Sequence, residues 1–325
     1  MEHLKEKILE LAQNDLDEIE VALKKNLNPE LEIVSEVAGH ILFAGGKRIR
    51  PLIMTLSSKI CGYFGDYDKI FSTIFEYLHT ATLLHDDLVD DADLRRGKPT
   101  AHSIWGNSAA VLAGDFLLAR SLSIAAKTGN CDVISVIANI TEDMSRGEIH
   151  QLTRKKALDI SEAEYMKIIE RKTAVLFRGA CRVSAILAEA PPEKKKAVSD
   201  FGYNLGIAFQ MADDLLDYTC DAETLGKNPG ADLREGKVTL PVIHAMESSP
   251  IKERRLIEKI ITQKTFSYDE FNTLTNLLRA GHGISYTRGM AEKYAAKAKE
   301  ALSVFEKSQA KKILLMIVKY VLERI

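Results

Sequence analysis

Apolar side chains recur along most of this chain at the spacing of an α-helix. One stripe consists of Ile70, Ile74, Tyr77, Ala81, Leu84 and Leu88. Another consists of Val198, Phe201, Leu205, Ala208, Ala212 and Leu215. Intervals of three and four residues place each set on one face of a helix. No stretch shows a convincing alternation with a period of two, so the pattern predicts an all-α fold.

A second stripe with polar side chains runs beside each apolar stripe. Beside the first lie Phe75, His79, Thr82, Asp86 and Asp90. Beside the second lie Gln210, Asp213 and Asp217. We therefore expect each helix to pack with its apolar stripe and to carry chemistry on the neighbouring one.

Helical patterns of about 15 to 25 residues follow one another from end to end. The sequence Ser161–Glu164 is a capping box, which predicts the start of a helix. No Gly/Ser-rich linker divides the chain, so we expect residues 1–325 to form a single all-helical domain.

Composition narrows the functional class. The chain has 325 residues and is 46% apolar, which is enough for a sizeable core. A net charge of −2 argues against a nucleic-acid partner. The four cysteines lack zinc-site or CxxC spacing, which favours a reduced, cytoplasmic setting. We expect no signal peptide, because the N-terminal region is charged, and no transmembrane segment, because apolar runs are short.

Two segments carry aspartates in the same arrangement: residues 85–90 read HDDLVD, and residues 212–217 read ADDLLD. In each, the first and last aspartates are four residues apart, about one helical turn. Carboxylates held close together repel one another unless a cation joins them, and oxygen ligands of this kind suit Mg²⁺. Arg95, Arg96 and Lys227 follow these segments, which indicates an anion held nearby.

The chain resembles the all-trans isoprenyl (polyprenyl) diphosphate synthases, in particular long-chain, octaprenyl-type members. The resemblance rests on segments 45–51 (GGKRIRP), 83–100, 114–115, 172–173, 210–217, 225–227, 235–237 and 239–241. One segment alone is a weak signal, but two DDxxD segments with GGKRIRP are a strong one. The resemblance implies a helical bundle around a deep central cavity, a homodimer, and about three Mg²⁺ ions per site.

The family reaction joins an allylic diphosphate to successive isopentenyl diphosphates, head to tail. The allylic C–O bond ionises, so the departing diphosphate needs positive charge and the cation needs shielding from water. The resemblance implies the metal ligands Asp86, Asp90, Asp213 and Asp217. It implies the allylic diphosphate contacts Arg95, Lys172, Thr173, Gln210, Lys227 and Lys237. Of these, we expect Asp86, Asp90, Arg95, Lys172, Asp213 and Lys227 to be catalytic.

The resemblance also implies a second anion site, for isopentenyl diphosphate. Its residues are Lys47, Arg50, His79 and Arg96. Backbone N–H groups after Gly45 can add to such a site. Asp87 and Asp214 point about 100° away from their neighbours, and we expect them to support the metal ligands. Candidate apolar lining residues are Leu83, Leu84, Val111, Leu112, Phe116 and Phe209.

The resemblance implies that product length depends on the residues one turn before the first aspartate segment. Ala81 and Thr82 are small, so the growing tail is expected to pass them. We expect a product of about six to ten isoprene units, for a quinone side chain, and a shorter product from Ala81→Phe. Met144 and Phe177 are candidates for the floor of the tunnel.

Other functions stay open at this point. A short-chain synthase making farnesyl or geranylgeranyl diphosphate has the same segments, although Ala81 and Thr82 count against it. A terpene cyclase has no need of the second anion site. A non-catalytic subunit should lack some of the aspartates, and a di-iron bundle needs two Glu-x-x-His pairs, of which only Glu76–His79 is found. Ala231 stands where some relatives have a further aspartate.

Overall fold

The apolar stripes of the sequence become the buried faces of long helices in the computed structural model of the protein. The structure describes residues 2–27, 29–95, 97–219, 230–263 and 265–325. The helices of the first half are α1 (Glu2–Leu11), α2 (Gln13–Leu27), α3 (Glu32–Leu42), α4 (Ile49–Cys61), α5 (Tyr67–Val89), α6 (Ala101–Trp105), α7 (Asn107–Ala126) and α8 (Cys131–Thr153). Those of the second half are α9 (Glu162–Ile169), α10 (Val175–Leu187), α11 (Pro192–Thr219), α12 (Ala231–Arg234), α13 (Leu240–Ser248), α14 (Ile251–Thr262), α15 (Tyr268–Ala280), α16 (Gly283–Ala301) and α17 (Gln309–Glu323). A π-helical segment (Glu170–Ala174) joins α9 to α10, and a 3₁₀ turn (Leu302–Val304) follows α16.

Most of the first apolar stripe and all of the second are buried, as predicted. In α5, Ile74, Tyr77, Ala81 and Leu84 are at most 1% exposed, and the whole stripe of α11 has no accessible surface. The capping box at Ser161 is also present, with Ser161 Oγ accepting from the N–H of Glu164. The prediction of an all-α fold is confirmed.

Helix α10 lies at the centre of the bundle. It packs against α4, α5, α8 and α11, while α5 also packs on α7 and α11 also packs on α16. The π-helix contacts both α8 and α11. These contacts bring the aspartate-bearing ends of α5 and α11 beside the π-helix.

The apolar core has two parts that share α11. The larger part is built from α1 to α8, α10, α16, α17 and part of α11, which contributes Phe201 and Ala208. The smaller part surrounds α9 and α13 to α15, to which α11 contributes Met211. The division of the chain into one domain over residues 1–325 stays a prediction.

The sequence pattern missed one small sheet. Strands β1 (Leu94–Arg95) and β2 (Lys98–Pro99) pair antiparallel, with Leu94 opposite Pro99. The turn between them contains Gly97 at φ +74°, a conformation that favours glycine. Strands of two residues are too short for an alternating pattern to form, so no pattern in the sequence predicts this sheet.

Helix α7 is mostly apolar, with Asp115 and Arg120 as its charged residues. It is long and apolar enough to cross a membrane, but a buried core helix can have the same length and composition. Of its most apolar stretch, 39% is buried inside the protein. Its contact with α5 accounts for part of that burial.

Candidate active site

The π-helix is the element around which the acidic residues gather. A π-helical turn inserted between α9 and α10 changes the direction of the side chains that follow, and such turns are frequent at functional sites. Helix α8 approaches it closely at Gly147, where a Cβ atom would lie 2.9 Å from the backbone nitrogen of Lys172. Glycine at this position therefore lets α8 and the π-helix bring their polar side chains together.

Lys172 on the π-helix contacts the first aspartate segment. Its Nζ lies 2.7 Å from Glu148 Oε2 and 3.4 Å from Asp86 Oδ2. It also donates to Gln151 Oε1 at 3.0 Å. Burial raises the pKa of Glu148, and the charge of Asp86 raises it further. The ammonium of Lys172 thus joins two carboxylates that would otherwise repel each other.

Thr173, the next residue, contacts the second aspartate segment. Its hydroxyl donates to Gln210 Oε1 at 2.6 Å, and Gln210 Nε2 donates to Asp214 Oδ1 at 2.8 Å. Tyr165 also donates to Asp214, at 2.6 Å. Burial, followed by the charge of Asp232, raises the pKa of Asp214 to about 7. Asp214 is therefore enclosed and held by Tyr165 and Gln210, and its support of the metal ligands stays a prediction.

Asp90 is held by two lysines, one on each carboxylate oxygen. Lys155 Nζ lies 2.8 Å from Oδ1, and Lys237 Nζ lies 2.9 Å from Oδ2. Burial alone would raise the pKa of Asp90, but the two ammonium groups outweigh it and lower the pKa. Lys237 also pairs with Glu235 at 2.5 Å, so it connects the first aspartate segment to the turn that follows the second.

Asp213 is paired with the penultimate residue of the chain. Arg324 Nη2 lies 2.5 Å from Asp213 Oδ1. The guanidinium groups of Arg324 and Arg50 lie 5.1 and 5.9 Å from the ring centroid of Phe209, and Arg50 is also 5.2 Å from that of Phe177. Burial lowers the pKa of Arg50, although the charges of Glu76 and Asp213 oppose it. Within the described residues, Arg50 Nε and Arg324 Nη1 are buried without a hydrogen-bond partner, so both could donate to an anion.

Asp217 occupies a different position from the one expected of a metal ligand. Its side chain is fully buried, and its two oxygens accept the backbone N–H groups of Ala231 (3.2 Å) and Asp232 (3.1 Å) at the start of α12. Backbone donors that belong to a helix start cannot be exchanged easily for a metal. The geometry therefore makes Asp217 an anchor for the turn that carries Lys237.

Arg95 also departs from expectation. It pairs with the buried carboxylate of Asp87 at 2.7 Å, instead of facing Lys172 and Lys237. It lines a cavity of about 80 Å³ that also contains His79 and the backbone of Gly45 and Gly46. The structure thus joins Arg95 to residues predicted for the second anion site.

The predicted second anion site is only partly assembled around that cavity. His79 lines it, whereas Arg50 lies between aromatic rings near Asp213, and the ammonium of Lys47 lies 5.1 Å from the centroid of Tyr320. Arg96 and Lys227 lie outside the described residues.

Three aspartates of this site, Asp86, Asp90 and Asp213, have the carboxylate oxygens that divalent cations bind. The side chains of Asp86, Asp90 and Asp213 are 17%, 11% and 36% exposed, and each is neutralised by a lysine or arginine side chain. Within the described ranges, no three His, Cys, Asp or Glu side chains are clustered tightly enough to hold a metal. Each of these carboxylates instead has an ammonium or guanidinium partner, which offsets its negative charge.

The residues predicted to line the product tunnel fall into different environments. Ala81 has no accessible surface, whereas Thr82 is partly exposed and donates to His79 O at 2.8 Å. Leu83 lines the small cavity, Leu84 is core, and Phe116 and Phe209 are half-buried. Val111 and Leu112 are 39% and 66% exposed on α7. Met144 and Phe177 are both buried.

Sequence reasoning missed two residues in this site. Lys155 lies in the run Arg154–Lys156 between helices, where a basic triplet normally indicates a solvated turn. Arg324 is one residue from the end of the chain and 111 positions from its partner Asp213. Nothing in local spacing links either residue to an aspartate, so only the three-dimensional structure could reveal them.

Comparison with known proteins identifies relatives of this chain in sequence and in structure. The family model described as polyprenyl synthetase matches residues 31–278. Octaprenyl diphosphate synthase from Escherichia coli (strain K12) is 40% identical over 299 residues, which is 92% of each chain. A polyprenyl synthase from Caulobacter crescentus CB15, solved with calcium and isoprenyl diphosphate, is 36% identical, with a TM-score of 0.92 over 98% of this chain and 97% of that one. A decaprenyl diphosphate synthase from Rhodobacter capsulatus is 34% identical, with a TM-score of 0.92 over 98% and 99%.

Proposed function

The chain belongs to the polyprenyl synthetase family, and we propose that its two aspartate segments together hold the diphosphate of an allylic substrate. The protein is a trans-prenyltransferase that makes medium- to long-chain all-trans polyprenyl diphosphates. The observation that carries the proposal is the pair of neighbours on the π-helix. Lys172 contacts Asp86 of the first segment, and Thr173 contacts Gln210 beside the second.

The departing diphosphate is stabilised by fixed positive charge. Lys172 and Lys237 lie among the carboxylates, and their ammonium groups can bind phosphate oxygens as the allylic C–O bond breaks. Thr173 and Gln210 are neutral hydrogen-bond partners for the same group. Lys227 joins this set by family resemblance.

Asp86, Asp90 and Asp213 are the residues that would hold Mg²⁺. When bound there, the ions supply the positive charge that offsets the charge developing on the departing diphosphate. The exposure of Asp213 and its pairing with a long arginine side chain support this role, because arginine can move aside. Asp217 is left out of the ligand set, since it holds the start of α12.

Isopentenyl diphosphate binds at the second anion site, where its diphosphate must stay attached. We assign it His79, Lys47, Arg50 and Arg96, and we add Arg95. Support comes from the cavity that His79 and Arg95 share beside Gly45, and from the unpartnered Nε of Arg50.

Thr82 controls product length in this proposal. It lies one helical turn before Asp86 on the same stripe of α5, and part of its surface is accessible. A tail that grows from the diphosphate site would pass its small side chain. Ala81, which is enclosed, would act only through Thr82 and the packing of α5.

A second copy of this chain would cover the apolar side of α7. Val111, Leu112 and Leu122 are 39%, 66% and 39% exposed on this helix, and Ile104 just before it is 48% exposed. Apolar faces of this kind mark protein interfaces. We therefore propose a homodimer, and Leu112→Asp should convert it to a monomer in light scattering, whereas an unchanged mass would exclude this face.

We also propose that the protein is located in the cytoplasm. Cys61, Cys131 and Cys181 are free thiols, a state that a reducing compartment maintains. Fractionation of cells should recover the protein with cytoplasmic markers, and recovery with an oxidising compartment would contradict the proposal.

The test of the function uses the purified protein, isopentenyl diphosphate, Mg²⁺ and allylic primers of one to four isoprene units. Mass spectrometry of the products should show chains of about six to ten units. A product that stops at three or four units would favour the short-chain alternative. No condensation with any primer would contradict the proposed function.

A further inference from the structure

A lysine outside the resemblance contacts the first aspartate segment directly. Lys155 lies on the loop between α8 and α9, and its Nζ is 2.8 Å from Asp90 Oδ1. Lys237 holds the other oxygen of the same carboxylate at 2.9 Å. Both ammonium groups therefore point at one anionic group, from two different parts of the chain.

The loop that carries Lys155 is docked on the turn that carries Lys237. The backbone N–H of Lys156 donates to Gly236 O at 2.7 Å. Gly236 has φ +81°, and a Cβ atom there would lie 3.1 Å from Lys156 Cγ and 3.6 Å from Lys155 Cβ. This docking holds the two lysines side by side, so that both can bind the same anionic group.

The charges of the two lysines are balanced differently. Lys237 has Glu235 at 2.5 Å in addition to Asp90, so it keeps a carboxylate partner when Asp90 is engaged elsewhere. Lys155 has Asp90 as its carboxylate partner and is 26% exposed, which leaves its flexible side chain room to turn. A phosphate oxygen can replace the carboxylate oxygen, because both accept charge-assisted hydrogen bonds.

We propose that Lys155 is a further binding residue for the diphosphate of the allylic substrate, acting beside Lys237. This inference rests on the proposed function, since it assigns a new residue to the same site. Lys155 binds the diphosphate of the primer and of each elongated product, and it does not bind isopentenyl diphosphate. Lys156 offers a matched control, because its ammonium lies near Gln263 O (3.4 Å) and only its backbone docks on Gly236.

The test compares the wild type with Lys155→Ala, Lys155→Arg and Lys156→Asn. Asparagine tolerates the left-handed backbone of residue 156 (φ +59°). Calorimetry with inorganic diphosphate and Mg²⁺ measures binding, and steady-state kinetics give KM for farnesyl diphosphate and for isopentenyl diphosphate. Lys155→Ala should weaken diphosphate binding and raise KM for farnesyl diphosphate about 10- to 100-fold, the loss of one charge-assisted hydrogen bond. KM for isopentenyl diphosphate should stay within about twofold, Lys155→Arg should restore most of the affinity, and Lys156→Asn should match the wild type.

Three results would overturn the inference. Diphosphate affinity within about twofold of the wild type in Lys155→Ala would remove Lys155 from the site. Equal increases of both KM values would indicate a distorted site, as would the same loss of affinity in Lys156→Asn. In each of these cases the wild type still elongates primers, whereas failure of the proposed function would appear as a wild type that makes no product.

Discussion

Arg48 illustrates how adjacent basic residues of one segment take opposite roles. Lys47 is exposed, but Arg48 is 6% exposed and forms a three-way contact inside the protein. Its guanidinium donates to Glu76 Oε1 at 2.8 Å, to Glu20 Oε1 at 2.5 Å and to the carbonyl oxygen of Leu42 at 2.6 Å. We predict that Arg48→Met destabilises the fold, whereas Lys47→Met does not.

The expected loss follows from the burial of the partners. The side chain of Glu76 is 10% exposed, so removal of Arg48 leaves a nearly buried carboxylate without its cation. Breaking a buried pair in this way costs about 3–5 kcal/mol. Glu20 is 38% exposed, so water screens that pair and it adds less than about 1 kcal/mol. The folded-to-unfolded ratio should therefore fall by about two to three and a half powers of ten.

Urea unfolding followed by circular dichroism at a fixed protein concentration measures this loss. The double variant Arg48→Met/Glu76→Leu should recover most of the stability, because both charges are then replaced by apolar side chains. Lys47→Met should change the free energy of unfolding by less than about 0.5 kcal/mol. A loss below about 1 kcal/mol in Arg48→Met would refute the reasoning, as would a double variant no more stable than the single one.

Three further predictions concern other parts of the molecule. Burial raises the pKa of Cys181 to about 12 and that of Cys61 to about 11, whereas Cys131 is exposed. Iodoacetamide at pH 8 should therefore label Cys131 and leave Cys61 and Cys181 unlabelled until urea unfolds the protein. Peptide mass spectrometry measures the labelling. Thr82→Phe should shorten the product. Ala81→Phe, which the sequence predicts to do the same, should instead overpack the core, because Ala81 has no accessible surface, and should lower the free energy of unfolding by about 1–3 kcal/mol. Product masses and urea titrations check both variants, and full-length product from Thr82→Phe would contradict the length proposal. The pKa of Asp90 is lowered on folding, so its stabilising pairs are fully present above the unfolded carboxyl pKa of about 4 and are lost as pH falls through the lower folded value. In EDTA, the stability difference between wild type and Asp90→Asn should therefore shrink as the pH falls below about 4, and a constant difference would exclude this linkage.

The long helices could be predicted because burial repeats with their period. The stripes of α5 and α11 were complete enough to identify the fold class and the face that carries each aspartate segment. The direction of Asp214 also followed from helix geometry, and the structure encloses it with Tyr165 and Gln210.

The partners of the charged residues could not be predicted in the same way. Asp217 has the side chain of a metal ligand, yet it accepts from the backbone at the start of α12. Arg95 has the side chain of a phosphate contact, yet it pairs with Asp87. Lys155 reaches Asp90 across 65 positions, a distance over which local spacing carries no information. Sequence patterns identify which side chains can do the chemistry, while packing decides which of them meet.

Turnover in a double-mutant cycle of Asp86 and Asp213 tests most directly whether the two segments act on one diphosphate. Each single change to asparagine should lower kcat about 10²- to 10³-fold with the helical circular dichroism signal retained. The double variant should be little slower than either single one, because residues that act as a unit are not additive. A near-normal rate in Asp213→Asn, or losses that multiply in the double variant, would contradict the account.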